Sequence, residues 1–523
     1  MYDSSGVVSG KLAEGRLSFK SGREEKKMSN IISRKPNIVF ILTDQQRADT
    51  LGVSGNSFAQ TPNIDILAEG ATRYENAYCT QPICTPSRSS LLTGLYPHAT
   101  GCSENNLHLD KDVPTLPEML PTGEWKTAYF GKWHLGDEVF AQRGFQNWIS
   151  TEDQYWKHYS QKRNIDTYST YHDWLTNNQG IYPDSGDRFS RTETANLPKE
   201  FTKIDYLAEQ AERFIQESSE EPFILYIGFL EPHPPYTGPF NDFRSEIQVP
   251  LPANFNDLCG SERHPKNRLQ ADYYRYFGGE AAEDLDLNNE DGWRSLIRRY
   301  YGMCHHVDLG VGRIIEALHK AGIYDNTTIV YTSDHGDQMG SHGILQKGVM
   351  LEESIKIPLI VKAPGQNKGS VITQPVSQID LVPTLMEHLG GPVPDNLHGK
   401  ILPHTNDGSD SESVVIEWNQ QTGLETDPWV TRCVEAVNPM ADAERVCDVW
   451  SDRIRTIIRP DGWKYSWSEK GWDELFHLNT DPFETRNRVT DQSLTDLVSS
   501  SRQLIQNWQD RTDDPDREHF LAT

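Results

Sequence analysis

The 523-residue chain is 36% hydrophobic and carries 13 Trp, 21 Tyr and 18 Phe, which excludes wholesale disorder and leaves room for a large core and two domains. A net charge of −26 excludes a nucleic acid as a partner for the surface as a whole, so any anionic substrate needs a local cationic pocket. The longest apolar run, residues 223–230, falls short of the ~18–20 residues of a membrane span, and the seven irregularly spaced cysteines form no disulfide framework. Cys433 and Cys447 are the one pair worth considering, with free thiols the expectation.

Residues 1–30 are polar, with a charged cluster at 23–27 and no apolar h-region, so residues 1–33 read as a disordered tail and the protein as cytoplasmic. Removal of a signal would instead make it periplasmic or secreted. The run Asn37-Ile38-Val39-Phe40-Ile41-Leu42-Thr43 then predicts a strand buried on both faces, ending on Asp44-Gln45. A helix is predicted over residues 61–68, stopping at Gly70. Cys84-Thr85-Pro86-Ser87-Arg88 opens a second helix, with Thr85 as N-cap, Pro86 in the first turn and Gly94 as the stop. That places Cys84 at a helix N-terminus, where free N–H groups favour an anion, with Arg88 one turn on. For any single such pair, a buried cysteine beside a surface arginine is the commoner arrangement.

The same grammar repeats. Strand 127–130 ends on Gly131-Lys132-Trp133-His134. A helix over 206–218 precedes strand 223–230, which ends on Glu231-Pro232-His233. A helix over 298–321 precedes strand 328–333, which ends on Asp334-His335. A strand at 358–362 and a helix at 380–389 follow. Residues 165–203 and 280–291 read as surface insertions. Strands alternating with helices predict an α/β sandwich around a mostly parallel sheet, over residues 34–395. Residues 396–523 read as a smaller α+β subdomain, with a hairpin turning at Pro460-Asp461-Gly462 and a last helix over 494–509.

Ligands in such sheets sit outside the carboxyl ends of the strands. One polar strand end is unremarkable; four ending on Asp44-Gln45, Lys132/His134, His233 and Asp334-His335 make a constellation. Its oxygen-rich donor set suits Ca²⁺ or Mg²⁺, and the imidazole of His335 admits Mn²⁺. Arg88, Lys132 and Lys347 are candidate anion clamps, and His134 and His233 candidate acid and base. A thiolate phosphatase would need arginine at position 90, where this chain has Ser90.

These motifs resemble the type I, formylglycine-dependent sulfatases of the alkaline-phosphatase-like superfamily. The likeness is carried by Cys84-Thr85-Pro86-Ser87-Arg88 with Ser90-Leu91-Leu92-Thr93-Gly94, by residues 37–47, by Gly131-Lys132-Trp133-His134-Leu135-Gly136 and by Ser333-Asp334-His335-Gly336, across residues 35–402. The resemblance implies that a formylglycine-generating enzyme oxidises Cys84, and that the hydrated aldehyde is the nucleophile. It implies metal ligation by Asp44, Gln45, Asp334, His335 and the modified Cys84, usually to Ca²⁺. Arg88 would hold the diol, Lys132 and Lys347 the sulfate, His233 would protonate the leaving alcohol, and His134 would deprotonate the diol. Gln45 and His335 stand where many members have aspartate and asparagine, a pattern shared with phosphonate monoester hydrolases and phosphodiesterases. That activity is the alternative reading, followed by an inert sulfated-glycan-binding homologue. A sulfated carbohydrate is the preferred substrate, with an aryl or alkyl sulfate behind it. Asn105, Asn106 and His108 are placed at the pocket mouth, and Trp156, Trp418 and Trp429 are candidates for stacking on a sugar. Oligomeric state is not legible.

Overall fold

In a computed structural model, which describes residues 34–277, 284–406, 412–422, 428–437 and 443–521, the apolar run Asn37–Thr43 is an inner strand of an eight-stranded sheet. Across the sheet the strands run Ser370–Ile372, Thr72–Tyr74, Leu359–Lys362, Thr327–Ser333, Asn37–Thr43, Phe223–Gly228, Lys126–Gly131 and Asn147–Ile149. Every pairing is parallel except those of Leu359–Lys362, which is antiparallel to both neighbours. The mostly parallel sheet expected from the alternation is therefore present with one reversed strand.

Side-chain alternation along Asn37–Thr43 divides the core in two. Ile38, Phe40 and Leu42 enter one buried cluster and Val39 and Ile41 the other, so both faces are covered. Burying each such side chain stabilises the sheet by roughly 1.5–3 kcal/mol. Helices Lys203–Glu217 and Glu290–Lys320 pack on the Val39 face, the latter through Val307, Val311, Ile314 and Leu318. That second helix begins at Glu290 rather than at residue 298. Glu290 and Asp291, the end of the stretch read as a surface insertion, occupy its first turn, where the helix dipole favours them, and Asn289 caps it by accepting from Gly292 N–H.

The carboxyl-terminal subdomain is a four-stranded antiparallel sheet, Val414–Trp418, Ile454–Ile458, Trp463–Ser468 and Glu474–His477, covered by helix Thr495–Thr512. The predicted hairpin closes through Arg459 and Trp463, with Gly462 at φ 87°. Cys433 and Cys447 do not pair with each other, and no disulfide is formed among the described residues. Among the described residues no helix is long and apolar enough to cross a membrane. The tail expected over residues 1–33 lies outside them.

Candidate active site

The four adjacent strands Thr327–Ser333, Asn37–Thr43, Phe223–Gly228 and Lys126–Gly131 carry Asp334, Asp44, His233 and Lys132/His134 just past their carboxyl ends. Asp334 N–H donates to Thr43 C=O (3.1 Å), so the ladder between the two central strands holds both carboxylates side by side. The Cys84–Thr93 helix brings its first residue to them: Cys84 Sγ lies 3.6 Å from Asp44 Oδ1 and 3.3 Å from His335 Nε2.

Ligand atoms of Asp44, Cys84, Asp334 and His335 all lie within 4.8 Å of one another, and all four residues are buried. His335 Nδ1 donates to Gly336 C=O (2.9 Å), which leaves the Nε2 lone pair facing the cluster. Two carboxylates, a bare imidazole nitrogen and the side chain at position 84 fit a divalent cation. Gln45, at φ 67°, turns its amide nitrogen to Asp337 (2.6 Å) and Tyr236 (3.0 Å), and its Oε1 accepts from Lys347 Nζ.

Arg88 is buried. It donates to Asp44 Oδ2 (2.8 Å), Asp334 Oδ2 (2.9 Å) and Lys132 C=O (2.7 Å), so it braces both carboxylates at once. Lys132 Nζ donates to Asp44 Oδ2 (2.7 Å). Burial pushes the Cys84 thiol up, as does Asp44, but chiefly Lys132 and Lys347 hold it below its ordinary value.

Thr85 does not cap the Cys84 helix as expected; Ile83 is the N-cap and offers no side-chain bond. The Thr85 hydroxyl instead donates to His134 C=O (2.8 Å) and accepts from Asn106 N–H (3.1 Å), while Asn105 Oδ1 accepts from Thr85 N–H (3.0 Å). Asn105 and Asn106 are thus both engaged in building the site. Asn106 Oδ1 accepts from His134 Nε2 (3.0 Å), and His134 Nδ1 is buried with no partner among the described residues. Burial pushes the His134 imidazole well down, helped by Lys132 and Arg88. His233 is depressed likewise, by burial, Lys347 and Lys132; its Nδ1 donates to Pro234 C=O (2.8 Å).

Several residues that sequence reasoning passed over shape this site. The Tyr155 ring stacks on His134 with centroids 4.2 Å apart, and its hydroxyl accepts from Arg191 (2.7 Å). Arg191 and Lys203 both reach buried Glu152, so the stretch 165–203 is not a mere surface insertion. Glu138 accepts from the N–H groups of Trp133 (2.8 Å) and His134 (2.7 Å); burial lifts its carboxyl to about 7. Gln378 accepts from Ser87 Oγ (3.1 Å) and donates to Ser87 C=O (3.1 Å). The only cue for Glu138 was its place in the loop after Lys132 and His134. His108 donates to His158 C=O (2.6 Å), and Trp156 lies under Lys157 and Arg188. Trp418 is buried, and the Trp429 side chain lies outside the described residues.

A sequence profile of the family described as Sulfatase matches residues 36–391. The chain is 27% identical over 515 residues to the uncharacterized sulfatase YidJ of Escherichia coli K12, covering 93% of this chain and 89% of that one. It is 27% identical over 427 residues to the N-acetylglucosamine-6-O-sulfatase of Bacteroides thetaiotaomicron, covering 71% and 70%. Among solved structures, the phosphonate monoester hydrolase of Agrobacterium radiobacter shares the fold, with a TM-score of 0.71 at 22% identity, covering 91% of this chain and 96% of that one.

Proposed function

The chain belongs to the sulfatase family, sulfuric ester hydrolases, and from that premise we propose that it removes sulfate from a saccharide, using a nucleophile made from Cys84 and a divalent cation. The observation that carries this reading is the convergence of Asp44, Cys84, Asp334 and His335 within 4.8 Å, braced by Arg88 and flanked by Lys132. The preference for a saccharide is supported by the likeness to the N-acetylglucosamine-6-O-sulfatase. Asp44, Asp334 and His335 would hold the cation, with Gln45 Oε1 as a further donor; a formylglycine-generating enzyme would mature Cys84. When bound, the cation supplies Lewis-acid stabilisation of charge on the sulfate oxygens, and the hydrated aldehyde supplies the attacking hydroxyl.

The residues of the chain do the rest. Lys132 and Lys347 place two ammonium groups against the sulfate oxygens, where developing charge is stabilised without reorganisation. His134, with its Nε2–H held by Asn106, keeps the Nδ1 lone pair free to accept a proton from the hydroxyl at position 84. His233, with Nδ1 turned to Pro234, has Nε2 available to carry a proton to the leaving oxygen. Burial, and then Lys347 and Lys132, depress the His233 imidazole, so an arriving sulfate, which offsets both lysines, raises its affinity for that proton.

A second reading, phosphonate monoester or phosphodiester hydrolysis, is favoured by Gln45 and His335 together with the shared fold. The test is sulfate release from a panel of sulfated saccharides and an aryl sulfate, beside phosphonate and phosphodiester turnover, with Cys84→Ala as control. Saccharide desulfation that falls by about 10³-fold or more in the variant is expected, the scale of losing a covalent nucleophile. Faster phosphonate than sulfate turnover would establish the second reading. Aryl sulfate turnover with uniform inactivity on saccharides would overturn the saccharide assignment. Binding of sulfated glycans with neither activity, in protein whose aldehyde is intact, would leave only a binding module.

A further inference from the structure

Helix Pro265–Phe277 is fastened to the loop that carries Lys347: Gln270 Nε2 donates to the C=O of Leu345 (3.0 Å) and of Lys347 (2.8 Å). Lys266 lies one turn earlier on the same helical face. Its Nζ sits 3.1 Å from the centroid of a Trp418 ring. The ring also meets Gly348, which follows Lys347 and has φ +92°. A Cβ placed on Gly348 would come 3.3 Å from Trp418 and 3.9 Å from Lys266 Nζ. On the far side, Asn419 donates to Gln81 Oε1 (2.8 Å), in the segment that leads into the Cys84 helix. The ammonium and the indole thus lie between two loops of the active site.

Lys266 is 2% exposed, yet among the described residues Nζ has no hydrogen-bond acceptor. Trp418 Nε1, Asn267 Nδ2 and Asn419 Oδ1, all buried, also lack partners among the described residues. The carboxylate whose charge reaches Lys266, Asp452, is engaged by His264 (2.8 Å), Ser468 Oγ (2.7 Å) and Lys470 N–H (3.2 Å). Lys266 Nζ also lies 5.4 Å from the Trp450 ring, but two cation–π contacts, about 2 kcal/mol for the close one and less for the distant one, supply no hydrogen-bond acceptor for a buried ammonium whose desolvation costs several kcal/mol. Folded proteins pair the great majority of their buried polar groups, so the orphaned donors Lys266 Nζ and Trp418 Nε1 beside Gly348, with Asn267 Nδ2 next in the chain, call for a missing acceptor.

We infer that Lys266 and Trp418 form a subsite for a second anionic group, a sulfate or a carboxylate, on the saccharide whose sulfate ester is cleaved. The ammonium would take the negative oxygens while Trp418 packs against the sugar-bearing side through its N–H edge. Burial pushes the Lys266 ammonium well below its ordinary range, and an anion beside it restores the charge.

The proposal rests on the saccharide reading above. It is tested by kcat/KM on matched saccharides that differ only in the second group (hydroxyl, sulfate or carboxylate) in wild type, Lys266→Met and Lys266→Arg. Wild type should prefer a doubly anionic substrate by about tenfold or more, the scale of one charge-assisted hydrogen bond. Lys266→Met should bring that ratio to about 1–2, and Lys266→Arg should retain part of it. The sulfate and carboxylate arms show which anion is recognised. Should Lys266→Met melt early, Trp418→Phe takes its place and should lower the same ratio. A wild type indifferent to the second group, or a ratio indifferent to position 266, overturns the subsite while desulfation stands. A wild type that desulfates no saccharide sinks both readings.

Discussion

Replacing Asn106 with glycine removes the acceptor 3.0 Å from His134 Nε2 and leaves the backbone, at φ 67°, unstrained. Losing a buried hydrogen bond costs about 1 kcal/mol, and leaving the N–H unpaired adds about 1–3 kcal/mol. The Nδ1–H tautomer then competes, and it blocks the lone pair needed to accept a proton. The Tyr155 ring, 4.2 Å away by centroid, still holds the imidazole plane, so the loss falls on protonation rather than on placement. A penalty of about 2–4 kcal/mol predicts a kcat lower by about 30–900-fold with KM changed by less than about threefold. Asn106→Asp, which keeps an acceptor, should recover most of kcat and move the pH profile upward. Steady-state kinetics on an aryl sulfate across pH, with melting curves for each variant, make the measurement. Unchanged kcat with raised KM would refute the reasoning and return Asn106 to the substrate-contacting role its sequence position suggested.

Arg88→Ala leaves two buried carboxylates facing each other and should cost about 3–5 kcal/mol in urea unfolding of chelator-treated protein, with a smaller loss when divalent cation is restored; equal losses in both states would contradict the bracing role. Burial pushes the Asp514 carboxyl up, but buried Arg455, 2.8 Å away, outweighs this and holds it down at about 2. A depressed pKa gives stability that is full above the unfolded value near ~3.9 and lost as pH falls through about 2, so Asp514→Asn should cost about 2–3 kcal/mol at neutral pH and little below pH 2. A pH-independent difference in denaturant midpoint would refute that pairing. Chelation should abolish turnover and lower the melting temperature. Readdition of Ca²⁺, Mg²⁺ or Mn²⁺ at about 100 times its Kd should return about 2.7 kcal/mol, and activity that survives chelation would exclude the cation.

What could be read from the chain beforehand follows its local physics. Ile38–Leu42 is a continuous apolar run long enough to declare a doubly covered strand, and the polar residues that end it and the strand Thr327–Ser333 had to lie on one edge of a parallel sheet. The roles of Thr85, Asn105 and Asn106 were hidden because they depend on where the His134 loop returns. Thr85 reads locally as a cap, but its hydroxyl is taken by a carbonyl 49 positions away. Tyr155 and Arg191 sit in polar, irregular sequence that carries no period, and only folding places Tyr155 against His134 and Arg191 on the Tyr155 hydroxyl. Helix Glu290–Lys320 was read short because an acidic run looks like a loop when its capping asparagine goes unnoticed.

The central claim is that position 84 acts as an oxidised residue beside a dication. Peptide mass spectrometry of residue 84, read against sulfate release from the same preparations, tests it most directly. Turnover should rise in proportion to the fraction of Cys84 converted to the aldehyde and vanish where that fraction is zero. Full sulfate release from protein whose residue 84 is entirely thiol would contradict the account.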